Sequence, residues 1–137
     1  MNLNVLITSA LLSLCVLCKA QATVPIIKVL NGTGFKQNET VKYALLSPKK
    51  VVYYYVGVEQ LLDNKWREIV LDITTNVPDK AAFVKKLNEN RSVNGVYRLN
   101  IPIAYHKNGH VFRLRMNYGP TAESIEKVVV SREFKVE

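Results

Sequence analysis

Apolar residues recur at every second position over most of this chain. Along Val96 to Tyr105, the residues Tyr97, Leu99, Ile101, Ile103 and Tyr105 fall on alternate positions, with Arg98 and Asn100 between them. Along Val111 to Tyr118, Phe112, Leu114, Met116 and Tyr118 point one way and Arg113, Arg115 and Asn117 the other. A period of two is the signature of strands with one buried and one wet face. The same beat predicts a strand over Thr40 to Ser47, with Val41, Tyr43 and Leu45 against Lys42, Ala44 and Leu46. It predicts a central strand over Val51 to Gln60, where Val52, Tyr54, Val56 and Val58 share one face and Tyr53, Tyr55 and Glu59 the other. Its β-branched and aromatic residues suit a pleated, well-packed surface.

Trp66 to Ile73 predicts a further strand, in which Ile69, Leu71 and Ile73 alternate with Glu68, Val70 and Asp72. Lys127 to Val136 places Val128, Val130, Phe134 and Val136 on one parity. Arg132 falls on that apolar parity, so either a bulge re-aims it or its stem lies across the sheet margin with the charge in water. Val24 to Leu30 is a short apolar run whose Pro25 cannot donate to a ladder, which suits an edge strand. Turns are expected at Asn31-Gly32-Thr33-Gly34, Ser47-Pro48-Lys49-Lys50, Asp63-Asn64-Lys65 and Gly119-Pro120. From Thr74 to Asn94 the beat is lost. Phe83 and Leu87, four apart among lysines, predict one short amphipathic helix over roughly Asp79 to Asn88, with an irregular crossover as the alternative. Seven short strands with at most one helix predict an all-β antiparallel sandwich.

Four stretches resemble the bacterial immunoglobulin-like domains of exported proteins: Tyr54-Tyr55-Val56-Gly57-Val58-Glu59, Lys65-Trp66-Arg67-Glu68, Val111-Phe112-Arg113-Leu114-Arg115 and Ser131-Arg132-Glu133-Phe134-Lys135-Val136. The likeness spans about residues 26–137. It implies an immunoglobulin-like sandwich with strands A, B, C, C′, E, F and G in chain order, a variable segment between C′ and E, and no catalytic or ligand residues. The chain departs from the antibody pattern in having no cysteine pair around its tryptophan, and in starting C′ with Trp66 where antibody domains carry it on C. Asn108-Gly109 is meanwhile a strong local signal for a two-residue hairpin, which would pair Tyr105 with Phe112 and Ile103 with Leu114. In an immunoglobulin sandwich E and F lie in opposite sheets, so the favoured reading makes Tyr105 to His110 a sheet-crossing loop.

Composition adds a compartment. Leu3 to Leu17 is almost wholly apolar, long enough for a signal core and short for a membrane span, and Ala20 and Ala22 form the small-x-small cleavage pattern. Residues 1–22 are therefore expected to be a cleaved signal peptide, and residues 23–137 the sandwich, exported to the periplasm or outside the cell without a transmembrane span. Cys15 and Cys18 follow Leu14 and Leu17 rather than small residues, which argues against a lipid anchor. They are the only cysteines, so the domain is expected to hold without disulfides.

Charge and chemistry narrow the function. The chain carries 19 Lys and Arg against 11 Asp and Glu, a formal charge of +8. Export and the lack of a binding motif argue against nucleic acid, leaving scattered solubilising charge or an acidic partner. No Gly-x-Ser-x-Gly elbow exists, and Asp63, Glu68, Asp72 and Asp79 read as a polar face and turn, so no enzyme, cofactor or metal is expected. His106 and His110 read as solvated loop residues. Tyr53 and Tyr55, with Trp66 nearby, form a candidate aromatic platform, and Arg98, Arg113 and Arg115 a candidate outward stripe for carboxylate or sulfate. Asn31, Asn38 and Asn90 head glycosylation sequons. The expected function is surface binding of a protein partner. Alternatives are a soluble binder of cell-surface glycan or another anionic ligand through those aromatics and arginines, and a periplasmic inhibitor with a basic loop.

Overall fold

The computed structural model of the chain describes residues 23–69, 83–107 and 109–137. The expected signal with both cysteines, the end of the tryptophan strand, the start of the expected helix and Asn108 all lie outside the described residues.

The elements in chain order are β1 (Ile26–Val29), β2 (Gly34–Phe35), β3 (Thr40–Leu46), β4 (Val52–Leu62), β5 (Lys65–Ile69), β6 (Lys85–Leu87), β7 (Ser92–Arg98), α1 (Ile103–His106), β8 (Val111–Gly119) and β9 (Lys127–Val136). They form two open sheets, one in the order β1-β3-β7 and one in the order β2-β9-β8-β4-β5, with β6 added on β4. Among the described strands only β2 runs parallel to its neighbour, β9. The chain is thus all-β, and the strands expected from period two are present in order.

Alternation explains the core. Val41 and Leu45 of β3 and Val58, Phe112, Leu114, Met116 and Phe134 of the larger sheet are buried in one cluster. Fully burying each such side chain stabilises the fold by about 1.5–3 kcal/mol. Phe134 meets Phe35 edge-on at 5.3 Å and lies nearly parallel to Phe112 at 6.4 Å, which fastens β2 and β8 on either side of β9.

Four local outcomes differ from the pattern or decide between its alternatives. The strand expected over Val96–Tyr105 starts earlier, at Ser92, and leaves the ladder after Arg98, although Leu99 and Ile101 are still fully buried. The chain then forms the helical turn α1, and the next strand, β8, belongs to the other sheet. The sheet-crossing reading therefore holds: Phe112 pairs with Gln60 and Phe134, not with Tyr105.

The two-residue type I′ hairpin is instead made by Asp63 and Asn64, with φ of 49° and 59°, closed by the pair Leu62 and Lys65. The helix expected over Asp79–Asn88 is contradicted in its second half. Lys85–Leu87 is a strand on β4, with Leu87 buried opposite Val52 and Phe83 left 59% exposed. A sheet edge offers this segment backbone partners that an isolated short helix cannot match.

The fourth outcome concerns β9. Two residues, Ser131 and Arg132, stand where the partner strand has only Leu114, so the register shifts there. This bulge reverses the parity. Phe134 and Val136 face the core, whereas Val128 and Val130 face out, 41% and 38% exposed, contrary to the single apolar face expected from the sequence. The Ser131 hydroxyl accepts the Leu114 N–H at 2.9 Å, and Arg132 donates to the Gly32 carbonyl at 2.8 Å.

Gly119 closes β8 where the chain turns back. A Cβ there would overlap the backbone carbonyl of Ser124, whereas at Gly34 it would meet nothing within 4 Å. Gly119→Ala is expected to cost about 3 kcal/mol in urea unfolding, since main chain cannot rotate away. Gly34→Ala is expected to stay within about 0.5 kcal/mol of the parent.

Candidate functional site

The outer face of the larger sheet collects most of the residues singled out in the sequence. On β4, Tyr53, Tyr55, Gly57, Glu59 and Leu61 share the parity opposite the core. The antiparallel register sets Arg113 directly across from Glu59 and Arg115 one pair along, across from Gly57. Directly opposed and diagonal neighbours on one face are within reach of long side chains. Arg113 Nε donates to Glu59 Oε2 at 2.7 Å, and Arg115 Nη1 to Glu59 Oε1 at 2.8 Å.

The Glu59 side chain is only 5% exposed beneath the two arginines. Each carboxylate oxygen has its own guanidinium, and a charge so desolvated is tolerated because it is paired. The Arg113 guanidinium also lies 4.0 Å from the ring centre of Trp66, which β5 sets opposite Leu61. Arg115 Nε donates to Asn117 Oδ1 at 2.9 Å.

Trp66, Arg113 and Arg115 are thus brought together. Tyr53 and Tyr55 lie on the same face farther along β4, both half-buried rather than standing free. Arg98 does not share this face. It ends β7 in the smaller sheet, opposite Thr40, so the three-arginine stripe is not formed.

Sequence reading missed Glu59 as the centre of this cluster. Its signal was a carboxylate inside the most β-prone run of the chain. The histidines are engaged. His106 Nε2 donates to Gln37 Oε1 at 3.1 Å and to the Ile101 carbonyl at 3.3 Å, and His110 Nδ1 donates to the Val136 carbonyl at 2.9 Å. Among the described residues no three His, Cys, Asp or Glu side chains gather as metal ligands, and no helix is long and apolar enough to cross a membrane.

A second feature opens at the edge of the same sheet. β5 pairs with β4 as far as Val58, and β6 from Tyr54. Tyr55, Val56 and Gly57 between them have no strand partner on that side among the described residues. Consecutive residues of β4 point to opposite faces, so a cleft lined by both Tyr54 and Tyr55 cuts through the sheet edge rather than lying on either face. It measures about 380 Å³ and reaches across to Tyr43, Val96 and Tyr97 of the smaller sheet.

Gly57 lines this cleft, and Gly95 packs against one of its walls, Tyr43. Tyr43 lies across Gly95, where a Cβ would strike its ring, and a Cβ at Gly57 would come within 3.2 Å of Glu68 Oε1. Burial raises the Tyr97 hydroxyl above the usual phenol range, reinforced by the carboxylate of Glu68 and by the neighbouring Tyr43, whose phenolate would repel a second one. Burial likewise raises Tyr43 and Tyr54.

No protein-family model matches this sequence, and no curated protein does either. The geometry alone therefore carries the functional reading.

Glu59→Ala strands two guanidinium groups at once. It is expected to cost about 2 kcal/mol in urea unfolding, between the values for exposed and buried pairs. Arg113→Ala, which leaves Arg115 on the carboxylate, is expected to cost less.

The tyrosine shifts set a pH window. Unfolded tyrosine titrates near its ordinary pKa of 10.0, whereas folded Tyr97 stays protonated above it. Its contribution to stability is fully present below that pH and is lost as pH rises through the folded pKa. Unfolding free energy measured against pH should fall on the alkaline side, and less steeply in Tyr97→Phe.

Proposed function

We propose that the chain is an exported, non-catalytic immunoglobulin-like binding module that engages a protein partner through the outer face of its larger sheet. The immunoglobulin-like reading is supported by the strand order. β1, β3 and β7 correspond to A, B and E, while β4, β5, β8 and β9 correspond to C, C′, F and G. The short parallel pairing of β2 with β9 fits an A strand that changes sheets part-way along. Export rests on the apolar run and small-residue pattern of residues 3–22, and with it a periplasmic or extracellular location.

The observation that carries the binding role is the compensation of Arg113 and Arg115 by Glu59, beside Trp66. Around it the same face presents Tyr53, Tyr55 and the two valines that the β9 bulge turns outward. Aromatic residues and arginine held in defined positions are the residue types that dominate protein interfaces. Glu59 offsets one of the two guanidinium charges, which weakens the attraction that a glycan or anionic-ligand reading through the arginines needs. The face fits a partner recognised by shape and aromatic contact.

A photoreactive phenylalanine analogue at Tyr55 or Val128 tests this in the cells that make the protein. A discrete stoichiometric crosslink to one protein is expected from both positions, and none from Val96 on the smaller sheet. Equal labelling from all three positions would refute the sheet-face assignment.

A further inference from the structure

We infer that the outer face of the smaller sheet docks on an anionic membrane surface, with Lys28, Lys42 and Arg98 set against the lipid headgroups. This face lies on the other side of the sandwich from the proposed protein-binding face and uses different residues.

The first ground is register. Lys28 pairs with Ala44, the Leu30 N–H donates to the Lys42 carbonyl, Lys42 pairs with Val96, and Thr40 with Arg98. Each strand of the smaller sheet thus gives one exposed cation to the outer face, and each cation is displaced by one outward row from the last. Diagonal neighbours of this kind stand about 7–8 Å apart, so the three make one line across the sheet.

The second ground is the lack of an opposing charge. β1, β3 and β7 carry no Asp or Glu, and Glu39, at the turn before β3, accepts the Lys36 N–H at 2.8 Å. Both ion pairs among the described residues use Glu59 of the other sheet. The line begins on the edge strand β1, whereas the cleft that Ile69 and Phe83 line lies beyond β7, at the opposite edge of the smaller sheet.

The third ground is an aliphatic residue placed among these charges. Leu30 stands beside Lys42 in the same row and is 53% exposed. A soluble polyanion such as a sulfated glycan offers nothing to that side chain. At a headgroup layer it reaches the acyl boundary while the ammonium groups beside it take the phosphates. Stacked sheets lie about 10 Å apart, so charges on the outer face of the larger sheet stay beyond a Debye length from the lipid. That face is then turned away from the membrane and open to a partner.

Each Lys or Arg held near an anionic leaflet raises partitioning about fivefold, and three together about a hundredfold. The test is cosedimentation of the full chain with vesicles of phosphatidylcholine and with vesicles of phosphatidylcholine mixed equally with phosphatidylglycerol. An apolar run such as Leu3 to Leu17 enters both, so the readout is the ratio of the two partition coefficients. The combined variant Lys28→Gln, Lys42→Gln, Arg98→Gln is expected to lower that ratio at least about twentyfold. The variant Lys65→Gln, Lys86→Gln, Lys127→Gln, which removes the same charge from the larger sheet, should change it less than about threefold. Leu30→Ser should lower partitioning into the mixed vesicles severalfold, with folding of every variant checked by circular dichroism. A ratio near one, or equal losses in the two triple variants, would overturn the assignment. Indifference to Leu30→Ser would overturn it too, by assigning the line of cations to a soluble polyanion. The crosslinking test reads the opposite face, so either surface can fail alone.

Discussion

The passage of the chain from the smaller sheet to the larger one depends on side-chain donors to its backbone carbonyls, chief among them the buried amide of Gln60. Between β7 and β8 the backbone leaves one ladder and has not yet joined the next, so its carbonyls need partners inside the fold. Gln60 is fully buried at the end of the inward row of β4, and its Nε2 donates to the carbonyls of Tyr105 at 2.7 Å and Gly109 at 2.9 Å. Gln37 and His106 do the same for the Ile101 carbonyl, at 2.6 Å and 3.3 Å. A buried carbonyl left without a partner costs about 1–3 kcal/mol, which is comparable to a large part of a small domain's net stability. With the crossing fixed, Phe112 enters β8 opposite Gln60, and the resulting register sets Arg113 on Glu59.

That dependence explains what the sequence could and could not disclose. Period two identified the strands because burial on one face is the strongest constraint a strand obeys, and Tyr54, Val58, Leu114 and Met116 are buried as their spacing requires. Turn chemistry was less decisive. Asn108-Gly109 has the better local signal for a I′ hairpin, yet Asp63-Asn64 makes it, because Leu62 and Lys65 extend two strands already paired in one sheet while the strands around Asn108-Gly109 belong to different sheets. The helix expected around Phe83 and Leu87 failed for a related reason: a spacing of four reads the same whether Leu87 closes a helical face or buries itself from a three-residue strand. The candidate site was half legible. Residue types on an outward face can be read from parity, but Glu59 joins Arg113 and Arg115 only through the register between strands more than fifty residues apart in sequence.

The bulge in β9 shows how one inserted residue can change what a surface offers. Without it Val128 and Val130 would continue the row of Phe134 and Val136 into the core. With it they stand outside, next to Asn117 and Arg115 and in line with Tyr55 across the sheet. The core loses little, since Val129 takes the inward place opposite Met116 and is partly buried against the cluster. The apolar surface so exposed is modest and is flanked by charges that are already paired. A surface of this kind resists indiscriminate aggregation yet keeps aromatic and aliphatic anchors available.

The two sheets also divide the charge. On the outer face of the larger sheet Glu59 offsets one of the two arginine charges and holds both guanidiniums in place. On the smaller sheet Lys28, Lys42 and Arg98 alternate outward with Ala44, Val96 and Thr40, and none has an ionic partner among the described residues. Exposed, unpaired charges act over about a Debye length and raise encounter rates with acidic surfaces, whereas contact specificity comes from packed and desolvated groups. The strands of the smaller sheet thus carry basic residues and no acidic one, whereas on the larger sheet Glu59, Glu68 and Glu133 stand among the basic residues. Arg98, grouped by the sequence with Arg113 and Arg115, falls on the smaller sheet because the chain crosses between sheets just after it.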